Sequence, residues 1–197
     1  MATLKRAASR RFSSWRSQWL PIVCVALAVA SPPAGSAQTL SEYGLKAVFL
    51  FNFTKFVEWP NEAFAAPNAP LCIGVLGDDP FGELLDEAVR GEISRGHPLT
   101  VRRARDVMPL RECHVVFISR SEESRVAEIL EELDGVPTLT VGDSQGFARL
   151  GGVIGFYLEG NKLRFEISHS AARRKELKIS SQLLSLGKIV EQRWSEH

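Results

Sequence analysis

The period of the hydrophobic positions changes several times along the chain, and each change predicts an element. Over residues 39–59 the period is helical: Leu45, Val48, Phe49, Phe53, Phe56 and Val57 share one face. Phe51 falls on the opposite side beside Thr54, Lys55 and Glu58, which makes it a candidate contact residue for a partner. Thr39-Leu40-Ser41-Glu42 has the form of a capping box and Pro60 stops the pattern, so one helix is predicted between them. A Pro/Ala/Asn linker over residues 60–70 follows. Beyond it, short apolar runs at 71–76, 99–103, 114–119 and 137–141 predict strands, with amphipathic helices at 81–89 and 121–133. Strands apolar on both faces that alternate with helices predict a parallel sheet covered on both sides. Segments 153–158 and 163–167 about Glu159-Gly160-Asn161 predict an antiparallel hairpin. Helices at 171–177 and 181–194 close the chain, the second expected to bury Leu183, Leu186, Val190 and Trp194. The fold class is α/β: a single compact domain, mostly parallel, with helices on both faces and an antiparallel edge hairpin.

Charge changes the picture at the N-terminus. Of 24 basic and 23 acidic residues, the five basic ones in residues 1–37 face no acidic residue, which leaves 19 against 23, a net of −4, over residues 38–197. A domain that acidic, with no basic run longer than Arg173-Arg174-Lys175, does not suit nucleic acid. The first 37 residues read as a cleaved export signal: a basic start, an apolar run from Trp19 to Ala30, then Gly35 and Ala37 at the −3 and −1 positions of a cleavage site. That run is short of the ~20 residues that span a bilayer; an uncleaved anchor is the rival reading. The expected organisation is a signal over 1–37 and one α/β domain over 38–197.

Export leaves two cysteines, Cys72 and Cys113, in an oxidising setting. Each opens an apolar run. As adjacent parallel strands these runs would put both cysteines at one end, within the reach of a disulfide; two buried free thiols are the alternative. Other chemistry is sparse. Asp78-Asp79 after the first strand could suggest a magnesium site, but Ser119 stands where a receiver domain has an Asp, and capping of the next helix is the simpler role. No dinucleotide or phosphate loop occurs, and Gly151-Gly152 precedes a strand, so it reads as a turn. Ser168 and His169 with Glu166 would make a poor triad, because neighbours on a strand face opposite ways and no nucleophile elbow supports them. The sequence nominates no catalytic residue, no cofactor and no metal ligand. Arg173-Arg174-Lys175 with Lys178 reads as a solvated helix face, with Arg173 and Arg174 as rim candidates for an acidic partner.

Seven segments, in order, resemble the YfiR family of periplasmic proteins: Lys46–Pro60, Leu71–Gly82, Cys113–Ser119, Leu139–Asp143 with Gly146-Phe147, Gly151–Ile154, Arg164–Ile167 and Ala171–Leu184. The resemblance covers about residues 40–191. It implies a Rossmann-like domain that is not an enzyme, binds the periplasmic sensor region of a membrane-bound diguanylate cyclase and holds it inactive. Release of such a repressor raises cyclic di-GMP and biofilm formation. The resemblance also implies a capacity to form homodimers, and matches Cys72 and Cys113 to a family disulfide; the second cysteine pair of some members has no counterpart around Phe147 to Gly155. A small-molecule-binding module serving another membrane sensor or uptake system is the alternative function.

Overall fold

The computed structural model describes residues 34–191, with side chains over 42–191. Its centre is an eight-stranded sheet in the order β10-β8-β7-β6-β5-β2-β4-β3. Strands β2 (Leu71–Leu76), β4 (His97–Ala104), β5 (Val115–Ile118), β6 (Leu139–Gly142) and β7 (Ile154–Glu159) run parallel. The edges are antiparallel: β3 (Ile93–Ser94) pairs with β4, and β8 (Lys162–Ile167) returns beside β7 and carries β10 (Lys188–Ile189).

Strand alternation builds two cores. Leu71, Ile73 and Val75 of β2, with Val115 and Phe117 of β5, face α1 (Ala34–Phe56), α2 (Glu83–Val89), α4 (His169–Arg174) and α5 (Ser181–Leu186). Cys72, Leu76, Val116 and Ile118 face the other way, against Leu110, Phe147 and α3 (Val126–Glu132). The sheet is therefore covered on both sides, as the continuous apolar strands predict. Phe147 is seated by two glycines: a Cβ on Gly142 or Gly152 would stand 2.6 or 2.1 Å from its ring.

Three expectations are corrected. Helix α1 passes through Thr39, so no capping box opens it, and it ends at Phe56; Val57–Glu58 then forms strand β1, paired antiparallel with β9 (Lys178–Ile179). Its buried residues are Lys46, Ala47, Leu50, Phe53 and Thr54, whereas Leu45 and Val48 are each 46 % exposed. The reason is electrostatic, since Lys46 turns inward to a carboxylate nearly a hundred residues away. The last helix, α5, stops at Leu186, which is exposed. A side chain at Gly187 would meet Phe165 and Ile167, and the chain passes there into β10; Leu183 and Val190 are buried as expected, and Trp194 lies outside the described residues. The 121–133 segment begins as a 3-10 turn over Arg120–Arg125 before α3. The export signal falls almost wholly outside the described residues.

Candidate functional site

The chain runs from β2 through α2 to β4 and then returns to the other side of β2 as β5, so the topological switch point lies between β2 and β5. In open parallel sheets this is where ligands bind, at the carboxyl ends. Here the crevice is filled. Asp78 N donates to Ser121 Oγ (2.9 Å), and a Cβ on Gly77 would stand 2.4 Å from that oxygen and 2.7 Å from Glu122. The acidic pair does not cap α2, whose N-cap Gly82 has no side chain to offer. Asp79 instead accepts from Phe81 N (2.8 Å) and pairs with Arg103 (2.6 Å), while Asp78 pairs with Arg105 (3.0 Å). The partners that decide this arrangement lie on β4 (Arg103) and just past its end (Arg105).

Beside the crevice, a buried charge cluster ties α1 to the end of β6. Lys46 Nζ lies 2.7 Å from Asp143 Oδ2 and 2.7 Å from Glu42, and Tyr43 donates its hydroxyl to Asp143 Oδ2 (2.8 Å). Arg120 donates to the Asp143 carbonyl (2.9 Å). Both Lys46 and Asp143 side chains are 2 % exposed. Burial, reinforced by the Asp143 charge, pushes the Tyr43 phenol well above its usual range, so it is a neutral donor. The buried pair fastens α1 through Asp143 Oδ2, whereas Asp143 Oδ1 is buried without a hydrogen-bond partner among the described residues.

The amino ends of the strands differ. Cys72 and Cys113 form a disulfide with a Cα–Cα distance of 4.6 Å. The β2–β5 register pairs Ile73 with Val115, so His114, not Cys113, stands across from Cys72; the bridge is offset by one residue. Both cysteines are buried. The Cys72 N–H donates to His114 Nδ1 (3.2 Å), which assigns the neutral ring's proton to Nε2, and Trp59 Nε1 donates to the His114 carbonyl (2.9 Å). Burial lowers the His114 pKa to about 4, with the Ala63 backbone offsetting part of the shift. Phe64 is stacked between two imidazoles, its ring centroid 3.9 Å from His97 and 4.2 Å from His114; His97 Nδ1 also lies 2.7 Å from the Ala69 carbonyl. These contacts fix the 60–70 segment as the wall of an open groove of about 1160 Å³.

The groove is lined by Trp59, Phe64 and Pro67, by Arg95, Arg173 and Lys178, and by Glu58 and Glu176. Glu58 pairs with Arg95 at 2.9 Å, whereas Arg173 and Lys178 have no ion pair among the described residues. Among the described residues, the two non-glycine residues with positive φ, Arg95 (53°) and Glu176 (57°), both line it. Arg95 sits in the β3–β4 turn and Glu176 just past α4, and such conformations persist where surrounding structure holds them.

The groove takes in one predicted contact residue and leaves the others out. Arg173 lines it; Arg174, its exposed neighbour on α4, does not. Phe51 does not line it either. It is half-buried against the core, away from the groove, with Lys55 Nζ 3.9 Å from its ring centroid. Lys175 corrects the reading of a solvated basic face: it is buried and donates to the Leu133 carbonyl (2.6 Å), and burial lowers its pKa. Ser168 serves as the N-cap of α4, accepting from Ala171 N, and Glu166 pairs with Arg149, so neither is arranged with His169 as a triad. Arg95 and Phe64 escaped the sequence reading, because one depends on a tight turn and the other on two histidines distant in sequence.

A family model described as YfiR/HmsC-like matches residues 43–188. No curated protein matches the chain. Among solved structures, a conserved domain protein from Vibrio cholerae O1 biovar eltor is similar at 12 % identity with a TM-score of 0.46, over 60 % of this chain and 54 % of that one. The chain thus spans about half the length of that protein. The family match runs from α1 to β10 and takes in both the disulfide and the groove, and on it the chain belongs to the YfiR/HmsC-like family.

Proposed function

We propose that this chain is an exported, non-enzymatic regulator that binds the periplasmic sensor region of an inner-membrane diguanylate cyclase and represses it, lowering cyclic di-GMP and biofilm formation. Residues 1–37 would be the cleaved export signal and residues 38–197 the regulatory domain. The observation that carries the reading is the family match over residues 43–188. Two features support it: a buried disulfide of the kind exported proteins keep, and a sheet whose usual ligand crevice is filled.

On this reading the groove at the amino ends is the docking face. Its aromatic side offers an apolar centre and Arg173 and Lys178 a charged rim, the layout of a protein interface. A repressor acts only through its differential affinity for two states of its target, so the groove should bind the inactive form of the sensor region more tightly. The test is titration of the purified domain with the cyclase's periplasmic region. The wild-type domain binds, and Arg173→Glu with Lys178→Glu weakens binding at least tenfold with an unchanged melting temperature; equal affinity in both proteins would contradict the groove assignment.

A groove of about 1160 Å³ with an aromatic wall also favours a second reading, a small-molecule-binding module for another membrane sensor or uptake system. Saturable thermal stabilisation by a small metabolite, without binding to any cyclase region, would select it.

A further inference from the structure

Strand β4 has a flank that the described residues leave unpaired. On its inner side β2 runs beside Leu99 to Ala104 throughout. On its outer side β3 reaches only His97 and Pro98, and the last bond there runs from Leu99 N to the Glu92 carbonyl (3.3 Å). The Ala104 carbonyl accepts from Gly77 N (3.0 Å), so residues 100, 102 and 104 turn their backbone groups toward β2. Leu99, Val101 and Arg103 alternate with them and turn theirs outward. Beyond the Leu99 N–H, these outward groups have no hydrogen-bond partner among the described residues.

The side chains say what such an edge would accept. Leu99 and Val101 are half-buried at the margin of the core on the α1 side, while Thr100 and Arg102 are exposed on the opposite face. Arg102 pairs with Glu112 at 3.5 Å, and that carboxylate is itself 85 % exposed, a surface pair of little strength. From Ile93 to Arg105 the chain carries four arginines and no acidic residue. A second copy of this edge laid antiparallel about Arg102 would set arginine against arginine, which is destabilising. An acidic strand would meet opposite charge instead.

We propose that the open flank of β4 over residues 99–103 is a strand-addition site for an extended segment of another protein, one whose acidic residues alternate with apolar ones. Main-chain bonds to Val101 and Arg103 would supply affinity. Arg102 would select acidic residues on one face of the added strand, and Leu99 and Val101 apolar residues on the other. The groove takes in His97 at the start of β4 but none of residues 98–104, so this site does not depend on what the groove binds.

The test titrates the exported chain with a labelled, blocked peptide of four Val-Glu repeats, followed by fluorescence anisotropy and amide hydrogen exchange. This peptide should bind at least tenfold more tightly than its Val-Lys counterpart and should slow exchange of the Val101 and Arg103 amides. Val101→Pro removes an outward N–H and no bond to β2, so it should weaken binding at least tenfold. Arg102→Glu should do the same, and as a surface change it tests the site even if proline disturbs the fold. No binding at peptide concentrations on the order of 1 mM, equal affinity for the two peptides, or binding that leaves both amides unprotected would overturn the proposal. So would protection of those amides that grows with protein concentration alone, because the occupant would then be a second copy of this chain.

Discussion

The two ends of the central sheet are built on opposite plans. At the carboxyl ends, Ser121 and Glu122 fill the crevice and a buried cluster of Lys46, Asp143 and Tyr43 fastens α1 over it. At the amino ends, a disulfide holds β2 to the start of β5, and an open groove lies beside Leu71. In most parallel-sheet proteins the carboxyl ends do the binding. Here Lys46 pairs with Asp143 and Glu42, and Arg103 and Arg105 pair with Asp79 and Asp78, whereas at the amino ends Arg173 and Lys178 have no ion pair among the described residues. Charge inventory alone would not separate the two ends, since both carry cations. What separates them is that Arg173 and Lys178 have no ion pair among the described residues, although Arg95 beside them is paired with Glu58.

Removing the covalent clamp should have the largest effect. Cys72→Ala with Cys113→Ala is expected to lower unfolding free energy by about 4 kcal/mol in urea titrations, from the loop-entropy relation for this span. Next comes the ionic clamp. Asp143→Ala leaves Lys46 buried with only Glu42 and should cost about 3 kcal/mol, with Asp143→Asn milder because the Tyr43 hydrogen bond survives. If Asp143→Ala were neutral, the carboxyl end would not be held in the way described. Acid should loosen the groove end by a similar amount. His114 has a folded pKa of about 4 against an ordinary 6.5, so the unfolded chain binds the extra proton between those values. Its contribution is therefore complete above pH 6.5 and lost as pH falls to about 4, roughly 3 kcal/mol in all. His114→Gln should lack that part of the pH dependence in parallel melts. The smallest effect on stability is expected at the groove rim: Arg173→Glu should change it by less than about 0.5 kcal/mol, while its effect on partner binding is large.

Elements whose side chains answer to their neighbours in sequence were legible. Strands β2 and β5 show as continuous apolar runs, the β7–β8 hairpin shows through its Gly160-Asn161 turn, and two cysteines heading parallel strands imply a bridge. Features set by distant partners were not. The buried face of α1 includes Lys46 because Asp143 lies at the end of β6, and a period count assigns a lysine to solvent. Asp78 and Asp79 read as helix caps until Arg103 on β4 and Arg105 just past it supply their partners. Lys175 looks like part of a solvated run, yet it reaches the Leu133 carbonyl at the end of α3. Of the groove, the sequence offered Arg173 and Lys178 as a basic cluster, but not the aromatic wall opposite, which forms only when Phe64 enters between His97 and His114.

The proposed repression of a membrane diguanylate cyclase through the groove is open to test in cells. The most direct measurement is cyclic di-GMP in cells lacking the gene, complemented with the exported wild type, a form without residues 1–37, or the exported Arg173→Glu/Lys178→Glu variant. The account predicts a rise on deletion that only the exported wild type reverses. No rise under conditions where the protein is expressed, or full reversal by the groove variant, would contradict it.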